Sequence, residues 1–368
     1  VAAAKAIALL ARENVPDEVV SAYGGDRPRY GKNYIIPSTF DPRLISVIPA
    51  AVAEAAMKSG VARKKIEDFE SRSERIPTVD ENYVDLGTQY KLAKIIKSKK
   101  ETFDNEIPIH IALKGHMGTG KDHDIEQLAA KLKFPYYRIP LSGEVRDVTL
   151  LGSVQLYGDG IGGTDSKWQD GELTRALRGP SFVNLSELNA AGPEVLFALH
   201  SLLDRHKKLE LPNGEVIELR SDTFIFGTMN PTSLRDYAGT QTLNKAFADR
   251  WVIWDNPFPS KEQLEAIFKK RYPNLQSEFV QLIIKLSIEI NNSFVSDDIS
   301  VNIETPMSLR TIVERIPVGL DLYKNSSDPL METWKNMVIP HVNSEDIDHY
   351  NTLWNTVVRS GPNLKPKL

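Results

Sequence analysis

The clearest chemical signal in the chain is a short glycine loop. Gly115-His116-Met117-Gly118-Thr119-Gly120-Lys121 has the spacing G-x-x-x-x-G-K, the pattern of a loop that cradles phosphates. Gly115, Gly118 and Gly120 let backbone N–H groups, including that of Thr119, converge on phosphate oxygens. The following helix adds its N-terminal dipole. Lys121 would neutralise the β and γ phosphates of a nucleotide. The next position normally holds Ser or Thr, whose hydroxyl binds Mg²⁺; here it is Asp122. Its carboxylate could replace the hydroxyl as a metal ligand, or it could repel the phosphates. Two like charges about 4 Å apart cost about 1 kcal/mol in water and about 4 kcal/mol near a protein surface. Asp122-His123-Asp124 is not read as a separate metal site, because successive helical residues diverge in direction.

A second acidic site lies downstream, where Ser181-Phe182-Val183-Asn184-Leu185-Ser186-Glu187 reads as a strand ending in a carboxylate. In P-loop ATPases the strand at this place ends in Asp-Glu, with Asp holding the Mg²⁺ shell and Glu polarising the attacking water. Ser186 stands at the Asp position and would make a weaker link to the metal. Glu187 remains and could act as general base on a water within hydrogen-bond reach.

These side chains need a scaffold, and the flanking sequence supplies one. Ile107, Ile109, Ile111 and Leu113 alternate as a strand before the loop, and Ile125, Leu128, Ala129 and Leu132 recur at helical spacing after it. Tyr136–Pro140, Ser181–Leu188 and Thr223–Met229 read as further strands. That alternation predicts a parallel sheet covered by helices. Leu209–Ile217 reads as a hairpin on the Asn213-Gly214 turn, and Gly158–Gly163 with Trp168 as an insertion loop. Beyond Pro259 the pattern is helical only, with Leu264, Ile267 and Phe268 in one helix and Phe279, Leu282, Ile283 and Leu286 in the next.

Residues 1–72 are Ala-rich and read as helices broken by the turn cluster Tyr23–Pro28. Asp41-Pro42 predicts a helix start, an Asp N-cap with Pro at the first helical position, and the helix should stop near Gly60. The charged run Arg63–Asp68 and a polar stretch from Ser71 to Asp80 follow. The expected division is 1–72, 73–258 and 259–368, the last closing in a loose basic tail, Gly361–Leu368.

Composition excludes several classes. With Lys+Arg 45 against Asp+Glu 49 the net charge is −4, so nothing marks the whole chain as a nucleic-acid binder. Zero Cys removes a disulfide scaffold, a thiolate metal site and a Cys nucleophile. No apolar run approaches the roughly 18 residues a membrane helix needs. No signal peptide is visible from Val1 onward, and a cytoplasmic location is expected.

Residues from about 80 to 358 resemble the MoxR-like branch of the AAA+ ATPases, near the CbbQ/NorQ and dynein-related group. Ordered motifs carry the resemblance: Gly115–Lys121, Gly171-Glu172-Leu173-Thr174-Arg175-Ala176-Leu177-Arg178, Glu187-Leu188-Asn189-Ala190-Ala191, Gly227-Thr228-Met229-Asn230-Pro231, Tyr237-Ala238-Gly239-Thr240, and Leu243–Trp251. The resemblance implies an α/β P-loop AAA+ three-layer αβα core, a C-terminal helical lid and a small helical segment in front. It implies that Asn230 is sensor 1, positioning the attacking water. Arg250 becomes the arginine finger that reaches a neighbouring subunit's γ-phosphate. Arg310, in Met307-Ser308-Leu309-Arg310-Thr311, becomes sensor 2 on the lid. ATP and Mg²⁺ are the implied cofactors, and Asp122 and Ser186 the groups on the metal. The implied activity is remodelling of a client protein, one with a von Willebrand factor A domain in many relatives, by a homo-oligomeric ring. The hairpin before sensor 1 would face the pore.

Residues 1 to about 70 resemble the C-terminal end of bacterial malic enzymes, through Val15-Pro16-Asp17-Glu18-Val19, Tyr34-Ile35-Ile36-Pro37, Phe40-Asp41-Pro42-Arg43-Leu44 and Ala53–Ala62. That family's catalytic Tyr and Lys and its dinucleotide loop lie upstream of this segment, so no residue is carried over as catalytic. The expected function is therefore a MoxR-like ATPase. A pseudo-ATPase ring subunit and an NAD(P)-dependent malic enzyme fragment are the alternatives.

Overall fold

The computed structural model describes residues 1–15, 20, 27–39, 41, 43–62, 69–101, 109–158, 164–232, 241–296 and 303–358. The turn cluster near Tyr23, the charged run 63–68, Tyr237–Thr240 and the tail 361–368 lie outside these residues, as does Ile107.

The central layer is a five-stranded parallel sheet. Its strands are β1 (His110–Lys114), β2 (Tyr136–Pro140), β5 (Ser181–Ser186), β8 (Thr223–Met229) and β9 (Trp251–Asp255), in the order β2-β5-β8-β1-β9. β5 and β8 are buried along their whole length, as expected for strands covered on both faces. Alternation divides their side chains. Phe182, Phe224 and Phe226 pack with α4 (Thr88–Glu101) and α5 (Lys121–Leu132). Val183, Leu185 and Ile225 pack with α7 (Glu172–Leu177) and α8 (Pro193–Leu203) on the other face. This is the expected αβα core.

Two antiparallel hairpins leave that core. β3 (Gly152–Gly158) pairs with β4 (Thr164–Asp170) after the short α6 (Asp147–Leu151). The expected insertion loop is thus a long hairpin, whose tip lies outside the described residues. β6 (Lys208–Glu210) and β7 (Val216–Glu218) form the expected Asn-Gly hairpin, with Gly214 at φ 84.

Strand β5 is shorter than the sequence predicts. It stops at Ser186, because Glu187 turns to a left-handed φ of 62 and Leu188–Ala190 form a 3₁₀ turn. After the short α9 (Lys245–Ala248) and β9, the chain becomes helical: α10 (Lys261–Arg271), α11 (Ser277–Val295), α12 (Ile316–Leu322), α13 (Pro329–Thr333) and α14 (Ile347–Val358). This unit has its own core, including Phe268, Ile290 and Leu320, with Trp334 stacked on Trp354 at 4.5 Å. No described helix is long and apolar enough to cross a membrane.

At the front, α1 (Ala2–Leu10) packs on α2 (Leu44–Lys58). Helix α2 begins later than Asp41-Pro42 predicts, because Asp41 is engaged by Arg43. Both are buried, the Asp41 carboxylate accepts the Arg43 backbone N–H at 3.0 Å, and the guanidinium lies 2.6 Å away. This piece fastens to the far end of α5, where Ser46 donates to the Leu132 carbonyl at 3.1 Å and Lys133 pairs with Glu13 at 2.6 Å. Helix α3 (Phe69–Glu74) lies on the core itself. Its Arg72 guanidinium donates to the carbonyls of Arg175 and Ala176 at the end of α7, where cations complement the helix dipole.

Candidate nucleotide site

The glycine loop joins β1 to α5. Gly118 and Gly120 sit at φ 75 and 89, a region L residues with side chains avoid. The loop is also tightly enclosed. A Cβ on Gly115 would lie 2.2 Å from the Asn256 carbonyl oxygen, and one on Gly118 would lie 2.3 Å from the Ser308 Cβ. From the helical unit, the Leu309 N–H donates to the Gly118 carbonyl at 3.0 Å.

Lys121 folds back over this loop. Its ammonium donates to the carbonyls of Gly115 at 2.6 Å and His116 at 2.8 Å, and to the Asn230 side-chain oxygen at 3.3 Å. Burial pushes its pKa down to about 8, against the raising influence of Asp122 and Glu187. Lys121, Asn230 and Glu187 are therefore neighbours in space, although Glu187 is exposed. Asn189 supports the group by donating to the Asn230 carbonyl at 2.9 Å.

Asp122 is held on both oxygens. Its Oδ1 accepts from Asn184 Nδ2 at 2.8 Å and Thr228 Oγ1 at 2.9 Å; its Oδ2 accepts from Arg138 at 3.1 Å. Ser186 lies fully buried at the end of β5, and its hydroxyl has no hydrogen-bond partner among the described residues. The oxygens of Asp122, Glu187 and Ser186 are hard donors that suit Mg²⁺. The described residues contain no cluster of three or more His, Asp or Glu able to hold a metal alone. Mg²⁺ carried by a nucleotide needs only one or two carboxylates beside the phosphates, so the donors fit it.

Gly118, Lys121, Asp122, Arg138 and Arg310 line one cleft of about 500 Å³. Tyr83, Val84 and Leu86 close another side. Tyr83 donates to Asp124 at 2.6 Å; burial, more than any neighbouring charge, raises the Asp124 pKa to about 6. Ser186, Glu187, Asn230 and Arg250 are expected site residues that do not line this cleft, and of these Arg250 is tied down elsewhere. Its guanidinium is held by the carbonyls of Ala246 and His200 and lies 3.7 Å from Asp204. The sequence reading missed Arg138, Thr228 and the Tyr83 segment. Only the Gly227–Pro231 motif touched one of them.

Residues 110–251 match the family described as AAA domain (dynein-related subfamily). That match runs from the start of β1 to the start of β9. The aerobic cobaltochelatase subunit CobS of Sinorhizobium sp is 29% identical over 214 residues, covering 55% of this chain and 63% of that protein. An NADP-dependent malic enzyme of Rhizobium meliloti is 60% identical over 76 residues, 21% of this chain but 10% of the enzyme. The chain therefore spans less than two thirds of either relative. A solved structure from Cytophaga hutchinsonii matches 86% of this chain and 99% of its own at 16% identity and a TM-score of 0.39. The AAA match spans the β2-β5-β8-β1-β9 sheet, and the MoxR-like resemblance is consistent with it. The malic enzyme match bears out the other resemblance over a short segment.

Proposed function

We propose that the chain is a MoxR-like AAA+ ATPase that couples binding and hydrolysis of Mg-ATP to remodelling or activating a partner protein. The observation that carries this reading is the left-handed glycine loop with Lys121 folded over it, opening into a cleft shared with Asp122 and Arg310. Its backbone N–H groups and the N-terminus of α5 bind the phosphates. Lys121 exchanges its carbonyl partners for phosphate oxygens. Bound Mg²⁺ would supply charge neutralisation across the β and γ phosphates, held by Asp122 and, more weakly, Ser186. Glu187 accepts the proton of the attacking water, which Asn230 orients. Arg310 contacts the phosphates from the lid. Arg250, outside its own chain's cleft, serves the cleft of a neighbouring subunit in a ring.

CobS is named as a subunit of a larger enzyme, and the same manner of working within an assembly is proposed here. The client, of the von Willebrand factor A type in the family resemblance, would meet the two hairpins. A cytoplasmic setting completes the proposal. A second reading, a nucleotide-binding ring subunit without hydrolysis, is favoured by one observation. The carboxylate at the metal-ligand position is already paired, with Arg138. The malic enzyme alternative lacks any carried-over catalytic residue, and absence of NADP binding would dismiss it. The decisive measurement is Mg-dependent phosphate release from ATP, with Lys121→Ala as control. Release that vanishes in the variant supports hydrolysis, whereas none from either protein supports the second reading.

A further inference from the structure

The Asp122–Arg138 pair has a geometry that an incidental surface contact would not need. Arg138 and Asn184 are direct partners in the register of β2 and β5, and Asn184 pairs with Phe226 of β8. Thr228 lies two residues beyond Phe226, on the same face. Three adjacent strands thus present one donor each to a single carboxylate. Asn184 is buried and donates at the same time to the Tyr136 hydroxyl at 2.9 Å, and that hydroxyl reaches the Asp122 carbonyl at 3.4 Å.

The two carboxylate oxygens are not equivalent. Oδ1 is held by the two neutral donors of β5 and β8. Among the described residues Oδ2 is paired with Arg138, at 3.1 Å, and this pair is half open to solvent, with side chains 51% and 34% exposed. An ion pair so exposed adds little to stability. Its place matters more, because both side chains line the cleft that holds the phosphate loop.

Resting on the ATPase reading above, we propose that Arg138 is a positioning residue that acts as the resident counter-cation of Asp122. It cancels the charge that would otherwise repel nucleotide phosphates, and it gives up Oδ2 when a divalent cation arrives with the nucleotide. Asn184 and Thr228 keep the carboxylate aimed throughout the exchange. Asp at the position after the loop lysine and Arg on β2 are then a matched pair: each is tolerable because of the other.

The test is a double-mutant cycle read by equilibrium binding of a fluorescent ATP analogue, in EDTA and in saturating Mg²⁺. Arg138→Ala is expected to weaken metal-free binding about tenfold, the scale of one like charge largely screened by water, and to lose less when Mg²⁺ is present. In the Asp122→Thr background the same substitution is expected to change metal-free binding less than about twofold. Arg138→Lys, which keeps the charge, should recover most of the wild-type affinity. Arg138→Gln keeps the stem and a donor but not the charge, and should behave like the Ala variant; it serves if Arg138→Ala unfolds. Equal losses in both backgrounds would overturn the proposal, because Arg138 would then act on phosphate directly. No loss in either background would overturn it as well. Failure of the wild-type chain to bind nucleotide under any condition would instead overturn the functional reading, and this proposal with it.

Discussion

Lys121 is a buried base on the wall of the cleft. Its pKa falls from an ordinary 10.5 to about 8 because it is buried. Between those values the unfolded chain holds a proton that the folded chain has released. The group therefore costs stability below pH 8, and that cost fades as pH rises toward 10.5. Phosphates favour the charged form, so nucleotide affinity is expected to fall as pH climbs through about 8, with proton uptake on binding above that pH. Calorimetry in buffers of different ionisation enthalpy reads both, and an affinity flat from pH 7 to 9 would contradict the assignment. Asp124 has the opposite sign. Its carboxyl pKa is raised to about 6 by burial, so ionisation above pH 6 opposes folding. The cost builds between pH 3.8 and about 6, so Asp124→Asn is expected to raise stability at pH 7.5 by on the order of 2 kcal/mol and to do little below about pH 3.5, as measured by urea denaturation at the two pH values. The loop around Lys121 was legible from motif spacing, because its backbone geometry demands those glycines, whereas Asn230 was expected from the family resemblance alone. Arg138 was not legible. Its role depends on β2 lying beside β5 in a particular register, and nothing in the residues around 138 records that pairing.

Elements were legible where periodicity was strong and misread where side chains altered the backbone's plan. Strands β2 and β8 fall where alternation and apolar runs place them. The start of α2 does not: Asp41 accepts the Arg43 N–H and pairs with its guanidinium, and the helix begins at Leu44. Strand β9 escaped notice as an edge strand, half exposed at Val252 and Ile253. The two hairpins share one tie: Arg178 contacts Asp170 at the end of β4 and Glu215 in the β6–β7 turn, the latter at 2.8 Å. Arg178→Ala should release both. Faster amide hydrogen exchange is expected in Gly152–Gly158 and Val216–Glu218, with a stability loss of only about 1 kcal/mol. Unchanged exchange in either hairpin would show that the tie is idle. The phosphate loop and the helical unit are coupled more tightly. Gly118→Ala places a Cβ against Ser308 at a positive φ. It is expected to abolish nucleotide binding while the chain keeps its circular dichroism spectrum.

For the whole molecule, the question is what the first residues contribute. The piece before residue 63 touches the core at the end of α5 opposite the phosphate loop, through Ser46 and Glu13. Arg72 and Arg75 belong to the core's own surface; the Arg75 carbonyl accepts the Tyr136 N–H at 3.0 Å, beside β2. A chain lacking residues 1–62 should therefore keep nucleotide affinity within about twofold, since sites this far apart act independently. A chain lacking 1–76 should lose about 2–4 kcal/mol, the worth of several charge-assisted hydrogen bonds; thermal melts of the two truncations decide it.

One feature of the folded chain reaches beyond these tests. The phosphate loop is gripped from two directions, by Leu309 on Gly118 and by the ring of His116, stacked at 5.3 Å on Phe258 and edge-on at 4.8 Å to Phe294. Loop shape and lid angle are thus one coordinate. By reciprocity of coupled equilibria, a mechanical load that pries the lid outward must loosen the nucleotide by the same free energy with which the nucleotide pulls the lid in. On the proposed function, the cleft would be a force sensor as much as an engine.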